Sequence, residues 1–260
     1  MTDRPRWGWR AGLAALTVAL GASLLANALL LRAALDFVNE ATAIRLDPAG
    51  LKVHAGDPVP ADPRPVLVVF GDSRAAMWEA PSPVPFRVVN RGVGYQTTAQ
   101  IRMRFDADVA PLHPAVVVLE AGVNDLKSIA QFPERRAEIV AECEANLRRI
   151  VDDCRKAGAT VVIVTVFGIG DVALWRRPFW SDDVRSAVRE VNAFLAGLAG
   201  DRVVLFDANP VLDDDHGAIR TAYQIDYLHL THAGYEALNH ALVPLVQSLP
   251  PSPRGALPAP

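Results

Sequence analysis

The sequence predicts an α/β fold, a parallel sheet of five strands with helices on both faces, behind a single membrane-spanning helix. Three observations predict it. Short apolar runs rich in Val and Ile alternate with longer segments of helical apolar spacing through residues 65–249, the pattern of a buried parallel sheet. Three of those runs stop at turns that carry Gly together with Ser, Asp or Asn. Residues 11–31, AGLAALTVALGASLLANALLL, hold no charged residue over about the length a helix needs to cross a bilayer.

In chain order, residues 1–10 precede the apolar segment and carry Arg4, Arg6 and Arg10, whereas Asp36 and Glu40 follow it. The positive-inside rule therefore makes 1–10 a cytoplasmic tail and 11–32 a signal anchor, with Trp7 and Trp9 at the interface and the rest of the chain extracytoplasmic, in the periplasm. A cleaved signal peptide competes, since Ala26-Asn27-Ala28 supplies an A-x-A pattern. Cleavage there would leave an apolar LLLRAALDF terminus, so the anchor is favoured. Residues 33–46 can continue the helix, and the proline-rich LDPAGLKVHAGDPVPADPRP that follows completes a stalk over 33–64 that holds the domain off the membrane.

Strands are expected at Val66 to Phe70, Phe86 to Asn90, Ala115 to Glu120, Thr160 to Val166 and Val203 to Phe206. Helices are expected near 74–79, 97–109, 134–157, 182–199 and 232–247. This is a three-layer α/β/α sandwich of flavodoxin-like type, in which functional groups gather where the strands end. Residues 250–260, PPSPRGALPAP, have nothing to bury and form a disordered tail.

A composition of 51% hydrophobic and 21% charged residues fits a folded body. The net charge is −3, and without residues 1–32 the remaining 22 basic and 28 acidic residues carry −6, so neither nucleic acid nor anionic lipid is an expected partner. Cys143 and Cys154 share the helical stripe of Val140, Leu147, Ile150 and Val151. Eleven helical residues separate them by ~16 Å, beyond disulfide reach, and both read as buried filler. No His/Cys cluster has metal-ligand spacing, so neither metal nor cofactor is expected.

The stretch VLVVFGDSRAAMW, residues 66–78, drives a strand into Gly-Asp-Ser and a helix start. Ser73 or Asp72 can merely cap that helix; alternatively, Ser73 is a nucleophile at the sheet edge. A base with an orienting carboxylate exists in IDYLHLTHAGY, where Asp226 precedes His229 by three residues. His232 is a rival without that carboxylate, while His54, His113, His216 and His240 read as surface polarity. VVVLEAGVND brings Asn124 to a turn after another strand, and VVNRGVGYQTT supplies a third turn with backbone N–H groups.

Together these pieces resemble the SGNH, or GDSL-like, hydrolases over roughly residues 65–247. FGDSR is similar to that family's first block, GVND to its third and DYLHL to its last, in the family's order. The resemblance implies a serine hydrolase acting on ester bonds, with Ser73 as nucleophile, His229 as base and Asp226 orienting it. The oxyanion hole is then made by N–H groups of Ser73 and of Gly94 or Tyr95, with the amide of Asn124. Two departures stand out. Tyr95 fills the slot where the family usually has glycine before the Gln96-Thr97 pair, and its ring could narrow the pocket. Arg74 replaces the common leucine after the serine, at a position expected on the helix surface.

The aromatic stretch FGIGDVALWRRPFWS, residues 167–181, either packs on its own domain or walls a pocket, with Trp175 and Trp180 as candidate substrate contacts. Expected substrates are acyl esters of a surface glycan or of a lipid-derived carrier. An O-acyltransferase with the same triad and an inert binding module of the same fold are the competing readings; oligomeric state is not legible.

Overall fold

The structure, a computed structural model, describes residues 7–58 and 62–249. Arg4 and Arg6 of the expected cytoplasmic tail and the expected tail at 250–260 lie outside the described residues. Two compact units divide at Pro48.

The first unit holds α1 (Trp7–Leu46), an unbroken 40-residue helix whose apolar side chains are exposed along its length. Residues 33–46 do continue the helix. Its length and composition suffice to cross a membrane.

The second unit contains β1 (Val66–Gly71), β2 (Arg87–Gly92), β3 (Val116–Glu120), β4 (Thr160–Val164) and β5 (Val203–Phe206). All pairings are parallel and the order is β2-β1-β3-β4-β5. The continuous apolar runs are explained by burial on both faces. Val66, Val68, Phe70, Val117, Leu119, Val161 and Ile163 join one core with α3 (Thr98–Met103), α5 (Arg136–Lys156) and α6 (Asp183–Ala196). Their neighbours Leu67, Val69, Val116, Val118, Val162 and Val164 face the other core, under α8 (His232–Ser248). Cys143 and Cys154 are free and buried in the first core, and burial pushes both thiols up.

Register brings three strand ends level: Gly71 pairs with Gly92 on one side and with Glu120 on the other. The two glycines of that row have no room for side chains. A Cβ on Gly71 would lie 1.7 Å from the Glu120 carbonyl oxygen, and one on Gly92 would lie 2.1 Å from the Ala76 nitrogen.

Several expected boundaries shift for local reasons. β4 stops at Val164 rather than Val166, because the Asn192 side chain takes both the N–H (2.8 Å) and the carbonyl (3.0 Å) of Val166. The first helix of the domain, α2 (Ser73–Ala76), is a single turn. The helix expected over 97–109 is α3, capped by the Thr97–Gln100 box, followed by a π turn at Phe105–Val109. Two four-residue helices, α4 (Val123–Leu126) and α7 (Asn209–Leu212), are additional.

The expected stalk does not stand clear of the domain throughout. Ala49 and Gly50 are buried, the Ala49 carbonyl accepts from Gln96 at 2.8 Å, and His54 bridges Asp57 (2.9 Å) and the Gly92 carbonyl (3.1 Å). Asp57 also pairs with Arg91 at 3.0 Å. The spacing of prolines suggested an extended spacer; these polar contacts fasten residues 49–57 to the end of β2, and His54 is a half-buried tie rather than surface polarity.

Candidate active site

Ser73 opens α2 directly after β1, with Asp72 as cap: its side chain accepts the Arg74 N–H at 2.9 Å. The capping role expected of this turn thus falls to Asp72 and leaves the serine hydroxyl free to point elsewhere. Ser73 Oγ lies 3.0 Å from Nε2 of His229. On the far side of the ring, Nδ1 lies 2.9 Å from Oδ2 and 3.1 Å from Oδ1 of Asp226.

The turn that carries this pair is closed across its base. Gln224 bridges Leu230, and the Ile225 N–H donates to the His229 carbonyl at 2.9 Å. Asp226 Oδ1 accepts the N–H groups of Leu228 (2.7 Å) and His229 (2.8 Å). Partial burial alone would raise the Asp226 carboxyl, but the His229 ring and these two amides outweigh it and hold the group below its ordinary range. An ionised Asp226 only accepts, so Nδ1 carries hydrogen and Nε2 is left to accept from the Ser73 hydroxyl. His232 is elsewhere: its nitrogens face Glu79 at 2.6 Å and Glu236 at 3.2 Å.

At the neighbouring strand ends, Asn124 is buried and donates from Nδ2 to the Gln96 carbonyl at 3.0 Å, which joins the third turn to the second. Asp125 anchors the same turn through the Thr98 N–H (2.8 Å) and hydroxyl (2.7 Å), and burial raises its carboxyl to about 6. Gly94 borders Ser73, since a Cβ there would sit 3.9 Å from the Ser73 Cβ. Tyr95 has φ of 65°, the left-handed conformation in which glycine is unstrained, which gives the glycine expected at that slot a physical reason. Its ring is 72% exposed under the Lys127 ammonium (5.9 Å), so it points into solvent and does not narrow the pocket.

The aromatic segment divides. Trp180 packs edge-on against Tyr227 (5.4 Å), the neighbour of Asp226, and lines a cavity of about 520 Å³ with Asp171, Val172, Arg177, Asp182 and Arg185. Trp175 is exposed, with the Arg176 guanidinium 4.4 Å from its ring centroid.

Two fully buried arginines went unrecognised in the sequence. Arg74, expected on the surface, is 0% exposed. Arg104 is equally buried and serves the opposite side of β1, donating to Gln96 Oε1 and Asp108 Oδ2 (both 2.6 Å), the Arg91 carbonyl (3.0 Å) and the Gly71 carbonyl (3.2 Å). Beside Ser73, Asp72 and, on the neighbouring β3, Glu120 are both buried carboxyls. Burial, then the Asp72 charge, raises Glu120 well above the carboxylate range.

A family model described as GDSL-like lipase/acylhydrolase matches residues 69–237. The chain belongs to this family. It is a serine hydrolase of the ester-cleaving kind, as the blocks around Ser73 and His229 implied. Among curated proteins it is similar to platelet-activating factor acetylhydrolase IB subunit alpha1 of Rattus norvegicus, 25% identical over 197 residues, 72% of this chain and 78% of that one. Among solved structures it is similar to a GDSL-like lipase from Bacteroides thetaiotaomicron (22% identity, TM-score 0.62, covering 76% of this chain and 97% of that one). It is also similar to an acetylxylan esterase from Geobacillus stearothermophilus (18% identity, TM-score 0.55, 72% and 95%).

Proposed function

We propose that this GDSL-family chain hydrolyses acyl esters outside the cytoplasmic membrane with Ser73, His229 and Asp226 as its triad. The observation that carries the reading is the unbroken relay from Ser73 Oγ to Nε2 at 3.0 Å and from Nδ1 to Asp226 at 2.9 Å. His229 Nε2 takes the serine proton as Oγ attacks the carbonyl carbon, and the resulting imidazolium is stabilised by Asp226. The protonated ring then returns its proton to the departing alcohol. Water attacks the acyl-serine, gives a proton to Nε2, and the acid leaves as Ser73 Oγ is reprotonated.

The oxyanion of each tetrahedral intermediate is held by the N–H of Ser73, the N–H of Gly94 and the second hydrogen of the Asn124 amide, whose first is committed to Gln96. Gly94 is preferred to Tyr95 because it borders the serine. The chain's acyl group is small or glycan-borne in this reading, supported by likeness to acetyl-ester hydrolases and by the exposure of Tyr95 beside Gly94. The apolar α1 serves as anchor, with Arg10 on the inner side.

The test is hydrolysis of p-nitrophenyl acetate and of a longer-chain ester by the full-length protein in detergent, beside Ser73→Ala. Turnover lost in the variant, with an unchanged thermal midpoint, is expected. Equal turnover by Ser73→Ala would overturn the assignment, and release of acyl product only when a sugar acceptor is present would make the protein a transferase.

A further inference from the structure

Ser73 and His229 are joined by a hydrogen bond that catalysis must break. Their immediate neighbours are joined by another that it need not. Arg74 Nε donates to the Leu228 carbonyl at 2.8 Å, parallel in sequence to the 3.0 Å contact between Ser73 and His229. The same guanidinium reaches the carbonyls of Phe167 (3.3 Å) and Gly168 (3.4 Å) and lies over the Phe167 ring at 5.0 Å. Glu120 Oε1 is 3.9 Å from Nη1, and the Arg74 carbonyl itself accepts from Tyr235 at 2.9 Å. A fully buried guanidinium spent on three loop carbonyls is expensive to desolvate, and leucine at this site would pack without that cost.

We infer that Arg74 is a positioning residue whose bond to the Leu228 carbonyl holds His229 over Ser73 while the serine is acylated. In the free protein the ring is fixed by two bonds, from Ser73 Oγ–H and to Asp226. Once Oγ carries the acyl group it has no hydrogen to donate, and the ring must wait, correctly placed, to take a proton from water. During that interval the Arg74–Leu228 bond remains as a direct tie between the nucleophile turn and the His229 turn, and the Phe167 and Gly168 carbonyls fix the guanidinium that makes it. The inference rests on the triad proposed above. It predicts a selective defect: deacylation should suffer more than acylation.

The experiment compares full-length wild type, Arg74→Lys and Arg74→Leu in pre-steady-state hydrolysis of p-nitrophenyl acetate, with phosphonate labelling of Ser73 as a separate measure of attack. A misplacement of about 1 Å is worth roughly a hundredfold in rate, so kcat should fall by about that order. KM should fall with it, a burst of p-nitrophenol should appear or grow, and labelling should stay within a few-fold of wild type. Added methylguanidinium should restore part of kcat to Arg74→Ala. If Arg74→Leu does not fold, Arg74→Lys keeps the charge while losing the fork and carries the test. An unchanged kcat in a folded variant overturns the inference, as does an equal loss of labelling and kcat, which marks Arg74 as merely structural. Absence of Ser73-dependent turnover in the wild type would instead remove the triad reading and this inference with it.

Discussion

Tyr95 shows how much a single residue can change without touching the chemistry. Its backbone is left-handed and its ring is in solvent, so only the N–H and the turn it belongs to matter to the site. Tyr95→Gly should relieve strain of about 1–2 kcal/mol and give back part of that as unfolded-state entropy, for a net gain of up to about 1 kcal/mol. Denaturant unfolding measures this, and Ser73-dependent turnover should persist; its loss would assign the ring a role at the site. At the same scale, Ser73 and Asn124 were legible because each sits in a short motif just after a strand, and Asp226 and His229 because they share one just before α8. Arg74 was not. A one-turn helix offers no periodicity to say which side is inward, and its partners are the Phe167 and Leu228 carbonyls, 93 and 154 residues away.

Elements in this protein end where side chains replace the ladder. Val166 is buried beyond the end of β4, and both of its main-chain groups are satisfied by one amide, that of Asn192 on α6. Asn192→Ala would leave a buried N–H and a buried carbonyl without partners, at about 1–3 kcal/mol for each. The expected outcome is a lower unfolding midpoint in urea with turnover per folded molecule little changed; an unaltered midpoint would show that water satisfies both groups. Such terminations explain why the strands were readable and several of their ends were not. Apolar runs reveal burial on two faces, whereas a stop imposed by a distant amide leaves no local mark. α4 and α7 escaped for another reason: four residues are too few for a helical period to register.

For the whole molecule, the five-stranded sheet and its two covers followed from alternation alone, while the boundary of the domain did not. Proline-rich composition marked the stretch from Leu46 to Arg64 as spacer, yet Ala49, His54 and Asp57 are fastened to Gln96, Gly92 and Arg91. A soluble fragment beginning at Ala49 should therefore be more stable than one beginning at Pro65. The difference should show as a higher thermal midpoint and, because Gln96 also holds Asn124, as higher turnover. Equal midpoints and turnover would make the 49–57 contacts dispensable.

The crowded row at Gly71 and Gly92 has a consequence for how the protein can change its substrate. Backbone lies against backbone there, so the nucleophile turn tolerates almost no variation in its seat. Tyr95, beside Gly94, and Ile225, whose N–H bonds the His229 carbonyl, are exposed at the side chain. New specificities are thus accessible through such side chains, by single substitutions that leave the inherited machinery unaltered.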